Sequence, residues 1–214
     1  MIKILIADDH AVVRQGLKQI LAEGLGKSTF GEAGSGAEVL ELAGKDKWDV
    51  VVMDVSMPGR SGLDLLKDLK EHHKKLPVLV LSIHPENMYA IRMLKAGASG
   101  YLTKGSAPEE LVNAIQKILS GQKYVSPSLL KELPMYLEPD DKQRPHESLS
   151  DREYQVMCMI VDGKALKDIG EELSLSVKTV TTYRTRILEK MNLKTNADLI
   201  HYAYENKLIP QAEK

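Results

Sequence analysis

The sequence predicts an α/β fold, a doubly wound five-stranded parallel sheet, followed by a second, all-α domain of four helices. Three observations predict it. Short β-branched runs alternate with segments of helical periodicity over roughly the first 120 residues. Charged and turn-forming residues then interrupt the pattern. From Leu149 onward there is helical periodicity and no strand signal. Strands that read as unbroken apolar runs suit a sheet covered on both faces, and right-handed crossovers place helices on each side.

The expected strands are Ile2 to Ala7, Thr29 to Ala33, Val50 to Asp54, Val78 to Ser82 and Gly100 to Thr103. Between and after them, helices are expected over Val12 to Glu23, Ala37 to Leu42, Leu63 to His73, Glu86 to Ala96 and Pro108 to Leu119. Pro108, Glu109 and Glu110 suit the start of the last of these, where a missing N–H is harmless and negative charge meets the helix dipole. The first domain is placed at residues 1–121, a linker with a short helix around Ser128 to Leu137 at 122–148, and the second domain at 149–214. In the second domain Ser150-Asp151-Arg152-Glu153 has capping-box spacing, and Gly163 is a stop signal. Helices are expected over Leu166 to Leu173 and, past a turn at Ser174 to Ser176, over Val177 to Met191 and Asn196 to Asn206.

Composition excludes several classes. The net charge is −1, so nucleic-acid binding requires local clustering of basic residues. Cys158 is the single cysteine, which rules out an internal disulfide or a Cys-based metal site. The first residues are too short and too acidic for a signal peptide, and no run approaches membrane-spanning length, so the expected location is cytoplasmic, with no membrane partner.

Chemistry concentrates at strand ends. Asp8 and Asp9 close the first apolar run and Asp54 closes the third, while Ser82 and Lys104 end or follow two more. In parallel sheets the ligand crevice lies at the carboxyl ends of the strands, so these groups are expected to converge. Clustered carboxylates raise a pKa or bind a cation, and a hard oxygen set suits Mg²⁺. Asp54 is then a candidate nucleophile toward a phosphoryl group, with Lys104 pairing with a phosphoryl oxygen and Ser82 donating to another.

Asp8-Asp9, Asp54-Val55-Ser56-Met57-Pro58 with Gly62, Ser82 and Gly100-Tyr101-Leu102-Thr103-Lys104 resemble the receiver domain of two-component response regulators, a flavodoxin-like fold. The resemblance implies that Asp54 accepts phosphate from a sensor-kinase histidine. It also implies that Asp9 and Asp54 bind Mg²⁺ with help from Asp8 and the Ser56 carbonyl, and that Ser82 and Tyr101 form a switch pair. One departure is Gly105, where many receivers carry a proline after the lysine.

In the second domain, Val180, Tyr183, Ile187 and Met191 fall on one side of the third helix and Lys178, Thr181, Thr182, Thr185 and Glu189 on the other. Lys178, Arg184, Arg186, Lys190 and Lys194 outnumber the one acid, Glu189, between Ser176 and Lys194. Helix, three-residue turn, basic helix is helix-turn-helix spacing. Residues 149–210 resemble the LuxR-type helix-turn-helix, and with the receiver the chain resembles a NarL/FixJ-type regulator. This implies double-stranded promoter DNA as a partner, read by Lys178, Thr181, Thr182, Thr185, Arg186 and Lys190, with RNA polymerase a further partner. Thr181-Thr182-Tyr183 departs from the commoner Lys-x-His pattern. Ala197, Ile200 and Tyr204 form an apolar stripe with two readings: packing within its own bundle, or a homodimer contact. Two rival classes are a Mg²⁺-dependent phosphohydrolase and a phosphate-independent dimerisation unit. The first is disfavoured because Ser56 stands where a general acid would follow Asp54, so the chain is not expected to be an enzyme beyond catalysing its own phosphoryl transfer and dephosphorylation.

Overall fold

A computed structural model describes residues 1–57, 61–83, 86–106, 108–127, 129–130, 144–206 and 208. It divides into two units, residues 1–131 and 132–214. Five parallel strands, β1 (Ile2–Ala7), β2 (Ser28–Ala33), β3 (Val50–Asp54), β4 (Val78–Ser82) and β5 (Gly100–Thr103), form one sheet in the order β2-β1-β3-β4-β5. Five helices connect or follow them: α1 (Ala11–Leu25), α2 (Gly36–Lys45), α3 (Gly62–His72), α4 (Glu86–Lys95) and α5 (Pro108–Leu119).

Alternation along each strand separates two cores. Ile4, Ile6, Val50, Val52, Leu79, Leu81 and Leu102 face α1 and α5, where Leu21, Leu111, Ile115 and Ile118 complete a buried cluster. Leu5, Val51, Met53, Val80 and Tyr101 take the opposite parity, on the side where α3 packs between α2 and α4. β3 and β4 are buried at every position, which is why they read as continuous apolar runs.

α2 is four residues longer than expected. Ser35 caps it by accepting the Glu38 N–H at 3.3 Å, so Gly36 becomes its first residue, and the helix carries Gly44 in its last turn. Caps outweigh glycine propensity here. α3 begins similarly, with buried Ser61 accepting the Asp64 N–H at 3.1 Å.

The expected linker narrows from both ends. Tyr124 pairs with Gly100 as an added parallel bridge, and Tyr124, Ser126 and Leu129 are buried. At the other end a 3₁₀ turn, Pro145–Ser148, buries His146, whose Nδ1 lies 2.8 Å from the Tyr202 hydroxyl. The short helix expected around 128–137 lies largely outside the described residues, as do Pro58 and Gly59.

The second unit contains α6 (Asp151–Val161), α7 (Leu166–Glu172), α8 (Val177–Lys190) and α9 (Asn196–Glu205). The capping box is present: Ser150 Oγ accepts from Glu153 N, and Glu153 Oε2 accepts from Ser150 N at 2.8 Å. Gly163, at φ 83°, follows the end of α6. The turn between α7 and α8 closes with the Leu175 N–H on the Gly170 carbonyl at 2.8 Å, and a Cβ at Gly170 would lie 2.8 Å from the Leu175 oxygen. Ser176 then caps α8 by accepting the Thr179 N–H at 3.1 Å.

Gly62 is the tightest backbone approach beside β3, since a Cβ there would lie 2.7 Å from both Val55 Cα and Val55 O. Gly62→Ala should therefore lose about 1–3 kcal/mol through overpacking, although alanine favours helices. Thermal unfolding followed by the fluorescence of Trp48, the single tryptophan, reads this unit directly. An unchanged midpoint would show that the Val55 loop yields freely.

Candidate functional site

The order of the strands sets the first site. Between β1 and β3 the direction of winding reverses, and the carboxyl ends of these two strands carry Asp8, Asp9 and Asp54. Asp8 is fully buried and Asp54 is 2% exposed. Lys104, from the turn after β5, reaches between them: its Nζ donates to Asp8 Oδ2 at 2.6 Å and to Asp54 Oδ2 at 2.7 Å. The Lys104 N–H also donates to the Ser82 carbonyl at 2.7 Å, which fixes where the side chain starts.

One ammonium serves two buried carboxylates, so the cluster is short of positive charge. Burial pushes the Asp54 carboxyl above its ordinary range, and the Lys104 hydrogen bond and charge only partly offset it. Lys104 is held protonated: burial disfavours its charge, but Asp54 and Asp8 together more than compensate. The remaining oxygens are held by backbone, Asp54 Oδ1 accepting the Ser56 N–H at 3.0 Å and Asp8 Oδ1 the His10 N–H at 2.8 Å.

Asp9 differs. Its Oδ1 is buried and accepts no hydrogen bond among the described residues, although His10 Nδ1 stands 2.9 Å away, off the line of one. Asp8, Asp9 and His10 form the tight ligand grouping, with one donor atom from each within 4.8 Å of the others. Asp54 joins this group through Lys104. His10 was missed because the acidic pair before it accounted for the chemistry. Arg14 was missed as well: it donates to the Asp8 carbonyl at 2.7 Å and to Glu32 at 3.1 Å, pinning the acidic loop to β2. Its place in the first turns of α1, six residues past Asp8, was the available signal.

Ser82 is fully buried, and Tyr101 is only 1% exposed. Gly105 leaves the turn after Lys104 open, with no cis peptide bond among the described residues.

The second site is the outward face of α8. Val180, Ile187, Leu188 and Met191 are buried, while Lys178, Thr181, Thr182, Thr185 and Arg186 are exposed and line a shallow groove with Glu189. Lys190 is used differently from the expectation: its ammonium donates at 2.6 Å to Glu153, whose side chain is 4% exposed, and so ties the end of α8 to the start of α6. Burial works against the charge on Glu153, yet Lys190 and Ser150 bring its carboxyl below the ordinary value. Arg184 is likewise occupied, donating to Asn196 at 2.6 Å. On α9 the residues turned inward are Leu199 and Ala203, and among the described residues Ala197, Ile200 and Tyr204 are exposed.

Residues 4–116 match the response regulator receiver domain, and residues 147–203 match the LuxR family of bacterial regulatory proteins. The chain belongs to the response regulators that join a receiver to a LuxR-type DNA-binding domain and regulate transcription through phosphorylation. It is 38% identical over 209 residues to the response regulator UvrY of Escherichia coli K12, covering 97% of this chain and 96% of that one. To the response regulator GacA of Pseudomonas aeruginosa it is 38% identical over 213 residues, covering 99% and 100%. Among solved structures it is similar to RcsB of Salmonella enterica serovar Typhimurium bound to promoter P1flhDC in the presence of phosphomimetic BeF₃⁻. That likeness has a TM-score of 0.60 and 25% identity, over 94% of this chain and 97% of that one. Among the described residues no helix is long and apolar enough to cross a membrane.

The charge shortage has a measurable sign. With its pKa above the ordinary value of 3.8, Asp54 contributes stability that is fully present below that value and lost as pH rises through the folded one. Its ionised form therefore opposes folding at neutral pH. In divalent-free buffer at pH 7, Asp54→Asn is expected to raise the Trp48-monitored midpoint, by roughly 4 °C for each kcal/mol relieved. The gap should close on acidification toward the ordinary value, and a lower midpoint for the variant at pH 7 would contradict the assignment.

Proposed function

We propose that Asp54 is the phosphoacceptor of a two-component response regulator, that a sensor histidine kinase supplies the phosphoryl group, and that phosphorylation controls sequence-specific binding to promoter DNA. The observation that carries this is the Lys104 ammonium held between two buried strand-end carboxylates in a chain that also presents an exposed basic helix. An Asp54 oxygen attacks phosphorus, a new P–O bond forms, and the bond to the donor breaks. Lys104 is the cation within reach to pair with an equatorial oxygen, and the Ser82 hydroxyl, at the neighbouring strand end, donates to another. The chain thereby catalyses its own phosphoryl transfer, and water attacking the phosphorus of the acyl phosphate breaks its bond to Asp54, regenerating the carboxylate and releasing inorganic phosphate.

The residues fit a divalent cation. Asp8 and Asp9 offer hard oxygens in one tight grouping with His10, Asp54 stands beside them through Lys104, and Ser56 offers a backbone carbonyl. Asp9 Oδ1 is a buried carboxylate oxygen that accepts no hydrogen bond among the described residues, with His10 Nδ1 2.9 Å away. Mg²⁺ bound by these residues would supply the positive charge that the carboxylate cluster lacks. Asp54 accepts negative charge at a place where burial already disfavours it, so the phosphorylated pocket favours a different arrangement of its neighbours. Ser82 and Tyr101 act as the switch pair. In this structure the Tyr101 ring is already inside, on the α4 side of the sheet, so the rearrangement starts from a buried ring and not from an exposed one.

On the DNA side, α8 enters the major groove N-terminus first, with Lys178, Thr181, Thr182, Thr185 and Arg186 toward DNA. The RcsB structure bound to a promoter with a phosphomimetic supports the coupling of the two domains. The exposed Ala197, Ile200 and Tyr204 stripe serves a homodimer contact that pairs two recognition helices on adjacent half-sites. RNA polymerase is a further partner at the promoter.

Acetyl phosphate with Mg²⁺ is expected to add one phosphoryl group to wild type and none to Asp54→Asn, by intact mass, and to stimulate DNA binding only in wild type. Stimulation of the variant equal to wild type would refute the phosphoacceptor. Lys178→Ala or Arg186→Ala should each weaken binding and reduce the slope of log affinity against log salt by about 1 for each DNA phosphate left unpaired. Unaltered slopes in both variants would place the DNA interface on another face.

A further inference from the structure

The exposed face of α8 contains two rows at helical spacing. Val177, Thr181 and Thr185 form one, four residues apart; Lys178, Thr182 and Arg186 form the other. Every threonine in these rows bonds back onto the helix. Thr181 Oγ1 donates to the Val177 carbonyl at 2.8 Å, Thr182 Oγ1 to the Lys178 carbonyl at 3.0 Å, and Thr185 Oγ1 to the Thr181 carbonyl at 3.1 Å. A hydroxyl carries one proton, and here it is already used. What each threonine has left for a ligand is its γ-methyl group and oxygen lone pairs. Val177, 47% exposed in the first turn of α8, adds two more methyls to the same row.

This chemistry discriminates among bases. In the major groove thymine presents a C5-methyl, adenine and cytosine present amino donors, and guanine presents only the N7 and O6 acceptors. The exposed methyls seat on the C5-methyl that only A·T pairs carry; lone pairs accept from the amino group of adenine or cytosine and meet only acceptors at guanine, so the methyl contact is what favours A·T.

Resting on the reading of α8 as the DNA-recognition helix, we propose that the Val177, Thr181 and Thr185 row, with Thr182 beside it, selects operator base pairs by seating thymine methyl groups and accepting from adenine amino groups. The half-site core is then rich in A·T pairs, with Lys178 and Arg186 holding the flanking backbone.

The test uses the full chain with Mg²⁺ and acetyl phosphate to select duplexes from a random pool, then remakes the selected site with deoxyuridine in place of thymidine. Each contacted thymine should cost about fourfold in affinity when its methyl is removed, from about 0.8 kcal/mol per methyl-sized group. Thr181→Ser keeps the hydroxyl and drops the methyl, so at one position its thymidine-to-deoxyuridine ratio should collapse toward one. Thr181→Val keeps methyls there and should retain the ratio. A G·C core, or equal wild-type binding to the thymidine and deoxyuridine duplexes, overturns the inference while leaving DNA recognition standing. No enrichment of any duplex overturns both the inference and the DNA reading beneath it.

Discussion

One lysine between two buried carboxylates is the constraint from which the N-terminal unit's function follows. Lys104 sits 96 residues from Asp8 and 50 from Asp54 in sequence, so the contact exists only when β1, β3 and β5 lie in one sheet with their ends aligned. The fold forces the negative groups together, and a single ammonium cannot neutralise them. On the proposed reading, that shortage is what a divalent ion would relieve, and it makes Asp54 a place where adding phosphate would have a large energetic effect. A well-satisfied pocket would be more stable and less responsive.

The same logic explains the surrounding contacts. Arg14 and Glu32 hold the loop after β1 by its backbone, and the Ser56 and His10 amides hold one oxygen each on Asp54 and Asp8. These bonds orient carboxylates without neutralising them.

Legibility in the sequence followed the physics of each element. Four of the five strands are where their apolar runs end, most plainly β3 and β4, which are buried at every position. The boundaries of α2 were less readable: Gly36 and Gly44 lower its helical signal, and the Ser35 cap that overrides them is a three-dimensional contact. The strand-end residues Asp8, Asp54, Ser82 and Lys104 were readable because the parallel topology dictates which ends converge. His10 and Arg14 were not, since their roles depend on the turn by which α1 leaves β1. Lys190 carries a role the sequence did not display: a positive charge near the exposed face of α8 is also held by buried Glu153. The inward turn of Leu199 and Ala203 on α9 was equally hidden, because more than one stripe of that helix is apolar.

The way α8 is held divides its residues into two kinds. Val180, Ile187, Leu188 and Met191 anchor it in the core, and Lys190 and Arg184 tether its latter half to α6 and α9. Val177, Thr181, Thr182 and Thr185 are exposed, and among the described residues the three threonine hydroxyls bond to their own helix, so replacing these residues perturbs folding little. If these residues read the operator as proposed, mutational drift can retune which promoters a descendant of this protein occupies while its scaffold stays intact, giving a duplicated copy a short path to a new regulon.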